Sequence, residues 1–479
     1  MRARLRRVPV PLAMLLALAA VVAVVWSIAL PEFQGPDESG HVTYVERIAE
    51  GDTIPFAPRT GGGTRDLLAA TPTEIRVAAT ESGLEQLRQN PAARPGWSGV
   101  DERLWAAKAA RLPPGSRTDG NFNAVFRNPP LYYLYATPAY VVASGGTIFT
   151  RIQWMRWANV PLLMALVVLT WVLAGELVGP RLAPRTLAAA LVALQPGISN
   201  AAGVVGPDLL LVVLYAAGLL VALRTVRLGF AWPRLAALVA LCAAAGLTQG
   251  RGLPLGVPAA LALLIVWVRA RRPSRRVLGA LAGLVVAALV AGTLVILLAP
   301  TRGTSPGVGG FLGYVWQFWT PTPTSVVRGI GPVGYGAGDA FVARLWGGFA
   351  QLEVQLPDWA VTALTAASLI SLAGIVAALW RRHAVRANPG VAVVVAGFVV
   401  AFFALLHLTA YRSMLSDPND PVITGRYLLP LLPLLAIGVA YAIHALPRRY
   451  AAMVGAGVVA AAAVLQLAGV GLVLERFYA

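Results

Sequence analysis

The chain has 479 residues, 57% of them hydrophobic and 13% charged, with 39 Lys and Arg against 21 Asp and Glu for a formal charge of +18. Several apolar runs reach the roughly 18 to 20 residues that a bilayer crossing needs. This excludes a water-soluble globular fold, and the basic excess reads as loop charge that sets orientation rather than as a nucleic-acid footprint. A single cysteine, Cys242, excludes an intrachain disulfide and a thiolate cluster, and His41, His383, His407 and His444 show no metal-ligand spacing.

In chain order, MRARLRR followed by Val8 to Leu30 reads as an uncleaved anchor, because the apolar stretch is long and its exit lacks a small-x-small cleavage site. Residues Pro31 to about Phe149 are polar and rich in Gly and Pro, and form a large external loop with helical patches near 65–87 and 101–110. Within it Asn128 to Gly146, interrupted by Pro138, reads as a helix lying at the interface, with Tyr132, Tyr133 and Tyr135 at headgroup level. Spans follow at about Trp154–Val178, Leu187–Gly203, Asp208–Leu223, Leu235–Leu247, Leu253–Val268, Val277–Leu298, Trp359–Trp380, Val391–His407, Tyr427–Ala445 and Ala451–Leu474. The expectation is an all-α polytopic membrane protein of about eleven transmembrane helices.

Charge fixes that count. The loops RLAPR, RTVR, RARRPSRR, WRRHAVR and PRR all fall inside only if Asn128–Gly146 does not cross. The Asp37 loop, the GVVGPD turn at Asp208, the loop Ala299–Asp358, the segment Tyr411–Tyr427 and the C-terminus then share the outer side. The predicted divisions are residues 1–298, a transmembrane module that includes the extracytoplasmic loop 31–153; 299–358, a second extracytoplasmic loop; and 359–479, the C-terminal helices.

Chemistry concentrates in the outer segments. Asp37, Glu38 and His41 stand directly after a Gly-Pro turn, and a carboxylate beside a histidine at a membrane surface is suited to general-base work. The same pattern also reads as an Asp N-cap, with Glu38 favoured by the helix dipole. Arg127, Arg151, Arg156, Asp208, Arg251 and Arg426 face the same compartment. Acids together with several guanidiniums suit a phosphate-bearing substrate, whereas each arginine alone also reads as a snorkelling anchor and Asp208 as a helix cap.

PDESGH after the first helix, AEGDTIP, NPPLYYL, Arg156 opening a span, GPD before another and GRYLLPLLPL near the end resemble the GT-C superfamily of polytopic glycosyltransferases that use polyprenyl-phosphate sugars. Within it the chain most resembles a little-characterised bacterial family of predicted membrane proteins sharing the DE..H, PPLYY and GRYLLP elements, over Met1 to about Leu435. LWGGFAQLEVQLP is similar to that family's outer-loop motif, with Ala350 where glycine is expected.

The resemblance implies a GT-C-like fold and a glycosyltransferase that moves a sugar from a polyprenyl phosphate, with inversion, to a glycan, lipid or protein acceptor on the outer face of the cytoplasmic membrane. It implies Asp37 as base with Glu38 and His41 beside it, and Asp208 as a second acid. Arg127, Tyr132, Tyr133, Arg156, Arg251 and Arg426 would contact substrate, with Arg426 on the departing phosphate. Two carboxylates can also hold a divalent metal, as in the superfamily's oligosaccharyltransferases, but a metal-independent mechanism is preferred and no cofactor is expected. A carrier of lipid-linked saccharides and an inactive assembly partner are the rival readings; a carrier would place polar residues or broken helices at mid-membrane, where this sequence has Ala, Leu and Val.

Overall fold

A backbone inside hydrocarbon must satisfy its polar groups within its own segment, so long apolar runs fold as helices. A computed structural model describes residues 8–51, 70–84, 87, 90, 92–94, 98–112, 117–119, 124–270, 279, 283, 308–320, 338–351, 353–416 and 423–479. Among these, eight helices are long and apolar enough to cross a membrane: Val10–Ala29, Ile148–Val178, Asp208–Leu228, Gly250–Arg269, Asp358–Arg381, Pro389–Ser413, Gly425–His444 and Arg448–Tyr478. Leu182–Ala193 and Trp232–Thr248 are shorter apolar helices. The predicted span Val277–Leu298 lies outside the described residues except at 279 and 283.

Two predicted spans are interrupted where proline removes a backbone donor. The predicted helix 187–203 ends at Ala193 and restarts as Pro196–Ala202, with the Gln195 side chain accepting from the Ile198 N–H at 2.6 Å. The final GRYLLPL begins as a tight 3-10 turn, Gly425–Leu431, before Leu432–His444 becomes α-helical. Both interruptions fall beside the cavity described below, where an irregular backbone can be satisfied by protein groups rather than lipid.

The helix ends sort by charge. At one end Arg224 and Arg227 pair with Glu176, Arg181 Nη1 lies 2.6 Å from His444 Nε2, Arg382 donates to the His444 carbonyl and Arg269 to that of Val226. At the other, Arg156 donates to the carbonyls of Ser27 and Leu30, so the helix that opens at Ile148 starts at the end where Val10–Ala29 finishes. The chain therefore returns without crossing between them, as the arginine distribution requires. Arg476, in the last helix, binds Glu353 and the carbonyls of Leu87 and Ala93 at that same end.

Among the described residues, the polar segment between the first two long helices holds the helices Glu38–Ala49, Thr73–Glu81, Gly99–Ala109 and Leu131–Val142 and a short antiparallel ribbon, Ala70–Pro72 against Arg117–Asp119. Leu131–Val142 has 12 residues, about 18 Å of helix, too short to cross. Its tyrosines correct one expectation. Tyr132 and Tyr133 are fully buried rather than at headgroup level, because their hydroxyls are taken by neighbouring loops: Gly206 N–H donates to Tyr132 at 2.9 Å, and Asn128 donates to Tyr133 at 3.1 Å.

The outer-loop motif forms a tight turn bridged between Phe349 and Val354, with Phe349 packed on Trp26 and Gln351 Nε2 donating to the Phe33 carbonyl at 2.9 Å. Ala350 stands there at φ 47° and Gln351 at φ 59°. A left-handed backbone crowds an alanine Cβ, at a cost of about 1–2 kcal/mol, which accounts for the glycine expected at this position. Ala350→Gly should raise stability by about 0.5–1 kcal/mol once glycine's extra unfolded-state entropy is subtracted. Thermal unfolding in detergent measures this, and a lowered midpoint would show the turn to be unstrained.

Candidate functional site

The site is a cavity of about 420 Å3 at the end of the bundle away from the arginine-rich turns. Its walls come from the Gly-Pro loop (Pro36, Asp37, His41), the turn before Asp208–Leu228 (Gly206, Pro207, Asp208), the break at Gln249–Leu253, and Arg426 and Tyr427 of the GRY element. Two close approaches bring these walls together. A Cβ on Gly35 would lie 2.8 Å from Val204, and one on Gly425 would lie 2.3 Å from the Leu345 nitrogen. Neither segment accepts a side chain at that point.

Asp37 precedes Glu38–Ala49 in a left-handed conformation, φ 57°, and its side chain makes no capping bond. Asp tolerates this region better than most residues, and a strained residue at a cavity edge is a functional pointer. The carboxylate is largely exposed and lies 3.8 Å from Arg426 Nη2. His41, one turn on, is buried against Tyr133, with Nδ1 2.9 Å from the tyrosine hydroxyl. Burial holds its pKa down to about 4, against the raising influence of Asp37 and Asp208, so the imidazole is neutral at pH 7.

Glu38 and Arg156 are placed elsewhere. Both side chains have no exposed surface. Arg156 uses all five N–H groups: Nε and Nη2 on the two Glu38 oxygens at 2.9 and 2.7 Å, and the remaining three on the carbonyls of Ser27, Leu30 and Pro31. Glu38 also accepts from the N–H groups of Val205 at 2.9 Å and Gly35 at 3.1 Å. Neither residue is among those that line the cavity, in contrast to the direct contact with substrate expected of them. The pair ties the first helix, the Gly-Pro loop and the turn before Asp208 into one unit. Tyr132 acts from the same side, since its hydroxyl also lies 3.4 Å from Asn159, whose amide donates to the Val204 carbonyl at 2.7 Å.

Asp208 is the first residue of its helix, after the N-cap Pro207. It pairs with Arg251 at 2.9 Å and lies 3.6 Å from Arg426 Nε, while Gln249 Nε2 approaches at 3.4 Å. The Arg251 guanidinium covers the Tyr427 ring at 3.7 Å, a cation–π contact that fixes its plane. Arg426 thus stands between the two acids at ion-pair range with both, yet its buried Nε has no hydrogen-bond partner. Asp37, His41, Asp208, Arg251 and Arg426 meet at the cavity, whereas Tyr133 is linked to it through His41 and Asn128. The Arg127 side chain lies outside the described residues.

Sequence reasoning did not single out Asn128, Asn200, Gln249 or Arg344, all of which line the cavity. Gln249 had a usable signal, since a QGRG break between two apolar runs, directly before Arg251, marks irregular backbone at a helix end. Asn200 and Arg344 carried none that local pattern could separate from an ordinary helix-end polar residue.

Two carboxylates, each within reach of a guanidinium, make a poor cage for a divalent cation, and no group of three His, Cys, Asp or Glu suited to hold one occurs among the described residues.

The long apolar helices and the polar cavity at one end of the bundle define a polytopic membrane protein. Residues 20–435 match the family described as "Predicted membrane protein (DUF2142)", and the chain belongs to that family. The match ends at the residue expected from the motifs and begins later, at 20 rather than 1. No curated protein matches the chain. Among solved structures, the Archaeoglobus fulgidus oligosaccharyltransferase in the apo form is similar over 96% of this chain, at 13% identity and a TM-score of 0.48. The archaeal oligosaccharyltransferase AglB of the same organism, in complex with an inhibitory peptide and a dolichol-phosphate, is similar over 98%, at 12% identity and a TM-score of 0.45. This chain spans 56% of the length of each. Similarity of that degree carries no argument about activity.

Proposed function

We propose that the protein is a membrane glycosyltransferase that moves a sugar from a polyprenyl phosphate to an acceptor hydroxyl at the outer face of the cytoplasmic membrane. The observation that carries this reading is Arg426, a cation at the mouth of an apolar helix that faces a cavity with an under-bonded guanidinium. Its pairings with Asp208 and Asp37 are loose, at 3.6 and 3.8 Å, so a phosphate oxygen in the cavity can accept from the same guanidinium.

In the proposed reaction Asp37 takes the proton of the acceptor hydroxyl while its oxygen bonds to the anomeric carbon from the face opposite the phosphate. The bond from that carbon to the phosphate oxygen breaks, and the electron pair leaves with the phosphate, where Arg426 meets the growing charge. Asp208 and Arg251 hold Arg426 and Tyr427 in place. His41, neutral and anchored on Tyr133, backs Asp37. No step is routed through a metal. Proteoliposomes supplied with undecaprenyl phosphate bearing a radiolabelled sugar test the reading: label must pass to an acceptor with release of undecaprenyl phosphate. Label that changes leaflet on intact lipid would identify a carrier instead.

Arg426→Lys keeps the charge and loses the two-pronged geometry, so the apparent donor affinity should fall by about 10-fold, and Arg426→Ala by about 100-fold. A snorkelling anchor predicts no change in either variant, and that result would move the phosphate to Arg251 or Arg344.

The arginine-rich end is placed in the cytoplasm by the positive-inside rule. In a Cys242→Ala background, Ser144→Cys should react with an impermeant thiol reagent applied outside intact cells, whereas Arg386→Cys should react only after permeabilisation. The opposite pattern would put the cavity in the cytoplasm.

A further inference from the structure

Two residues that line the cavity each carry a buried side-chain oxygen without a partner. Asn200, in the short helix Pro196–Ala202, is 7% exposed, and its Oδ1 is buried without a hydrogen bond. Gln249, in extended backbone at the break after Trp232–Thr248, is 6% exposed, and its Oε1 is likewise buried and unbonded. Both residues line the cavity. The amide of Gln249 is oriented by its nitrogen, which approaches Asp208 Oδ1 at 3.4 Å and so turns the oxygen away from the carboxylate.

A buried acceptor left unbonded is destabilising, so two of them on residues that line the same cavity point to a ligand that brings donors. An amide oxygen accepts and cannot donate, which selects O–H or N–H groups and disfavours a carboxylate. Asp37 and Asp208 lie at ion-pair range of Arg251 and Arg426, and Arg344 is a further cation on the cavity lining. The cavity volume of about 420 Å3 stands near the lower end of the range of roughly 300–1,000 Å3 for small-molecule sites, which suits one sugar ring rather than a preassembled oligosaccharide.

We infer that Asn200 and Gln249 form the subsite that reads the transferred group, and that this group is a single neutral sugar whose hydroxyls donate to the two amide oxygens. The inference rests on the proposed glycosyl transfer from a lipid phosphate. Such a site rejects a ligand lacking the donor, because the acceptor is then stranded.

The test is binding to the purified full-length protein in nanodiscs, with bare undecaprenyl phosphate compared against undecaprenyl phosphate bearing glucose, mannose, galactose or arabinofuranose. At least one glycosylated lipid should bind about tenfold or more tighter than the bare lipid. Asn200→Leu and Gln249→Met, close in shape and without acceptors, should bring that ratio towards one while leaving affinity for the bare lipid in place. Should Gln249→Met fail to fold, Gln249→Asn withdraws the oxygen by one methylene and should lower the ratio in part. If all four glycosylated lipids bind no better than the bare lipid, or if the Asn200 and Gln249 variants keep the wild-type ratio, the two oxygens hold only water and the subsite is overturned. Failure of the wild type to bind even bare undecaprenyl phosphate would count against the lipid-phosphate reading itself.

Discussion

Asp37→Asn is expected to lower sugar transfer by about 10²- to 10⁴-fold while donor affinity stays within a few-fold of wild type. The amide keeps the shape of the carboxylate but cannot take the acceptor's proton, so the chemical step loses its base. Binding is spared because Asp37 meets Arg426 only at 3.8 Å, and losing that neighbour leaves the guanidinium available to phosphate. Among the described residues at the cavity, Asp208 is held between two arginines, and His41, with Nδ1 on Tyr133, keeps only Nε2 to take a proton. The measurement is single-turnover transfer with donor binding followed in parallel. Near-normal turnover would remove Asp37 from the role of base, and a parallel collapse of donor binding would make it a binding residue.

The second large effect is expected at the buried Glu38–Arg156 pair. Glu38→Ala and Arg156→Ala should each destabilise the fold by about 3–5 kcal/mol, because each strands a buried charge with no water to receive it. In Arg156→Ala the carbonyls of Ser27, Leu30 and Pro31 lose their donor as well. The double variant should cost less than the sum of the two, since removing both partners leaves no unpaired charge. Size-exclusion profiles and thermal unfolding of detergent-purified protein report this directly. A Glu38→Ala protein with an unchanged melting temperature and abolished transfer would return Glu38 to the chemistry.

Asp37 and Glu38 differ in surroundings although they are adjacent in sequence, and the difference follows from their backbone. The left-handed turn at Asp37 directs its side chain into the cavity, and Glu38, opening the helix, points inward to meet an arginine 118 positions away. PDESGH reads as a cluster of three titratable groups, and no local pattern separates the exposed acid from the buried one. The same holds for Tyr132 and Tyr133, whose aromatic and polar character fits a headgroup belt as well as a buried hydrogen-bonded wall.

The sequence by itself determined the membrane character, the position of most long helices and the end of the bundle at which the polar segments gather. Each of these depends on sums over local windows, apolar length for a helix and arginine count for a turn, and lipid enforces both without regard to partners. Tertiary structure alone decided which polar residues meet. Gly35 against Val204 and Gly425 against Leu345 bring four distant segments to one cavity, and only that approach distinguishes the saturated Glu38–Arg156 pair from the open Asp37–Arg426–Asp208 set. Hydrogen-bond partners belong to surfaces formed by packing, so the unbonded oxygens of Asn200 and Gln249 become visible only once the walls are in place.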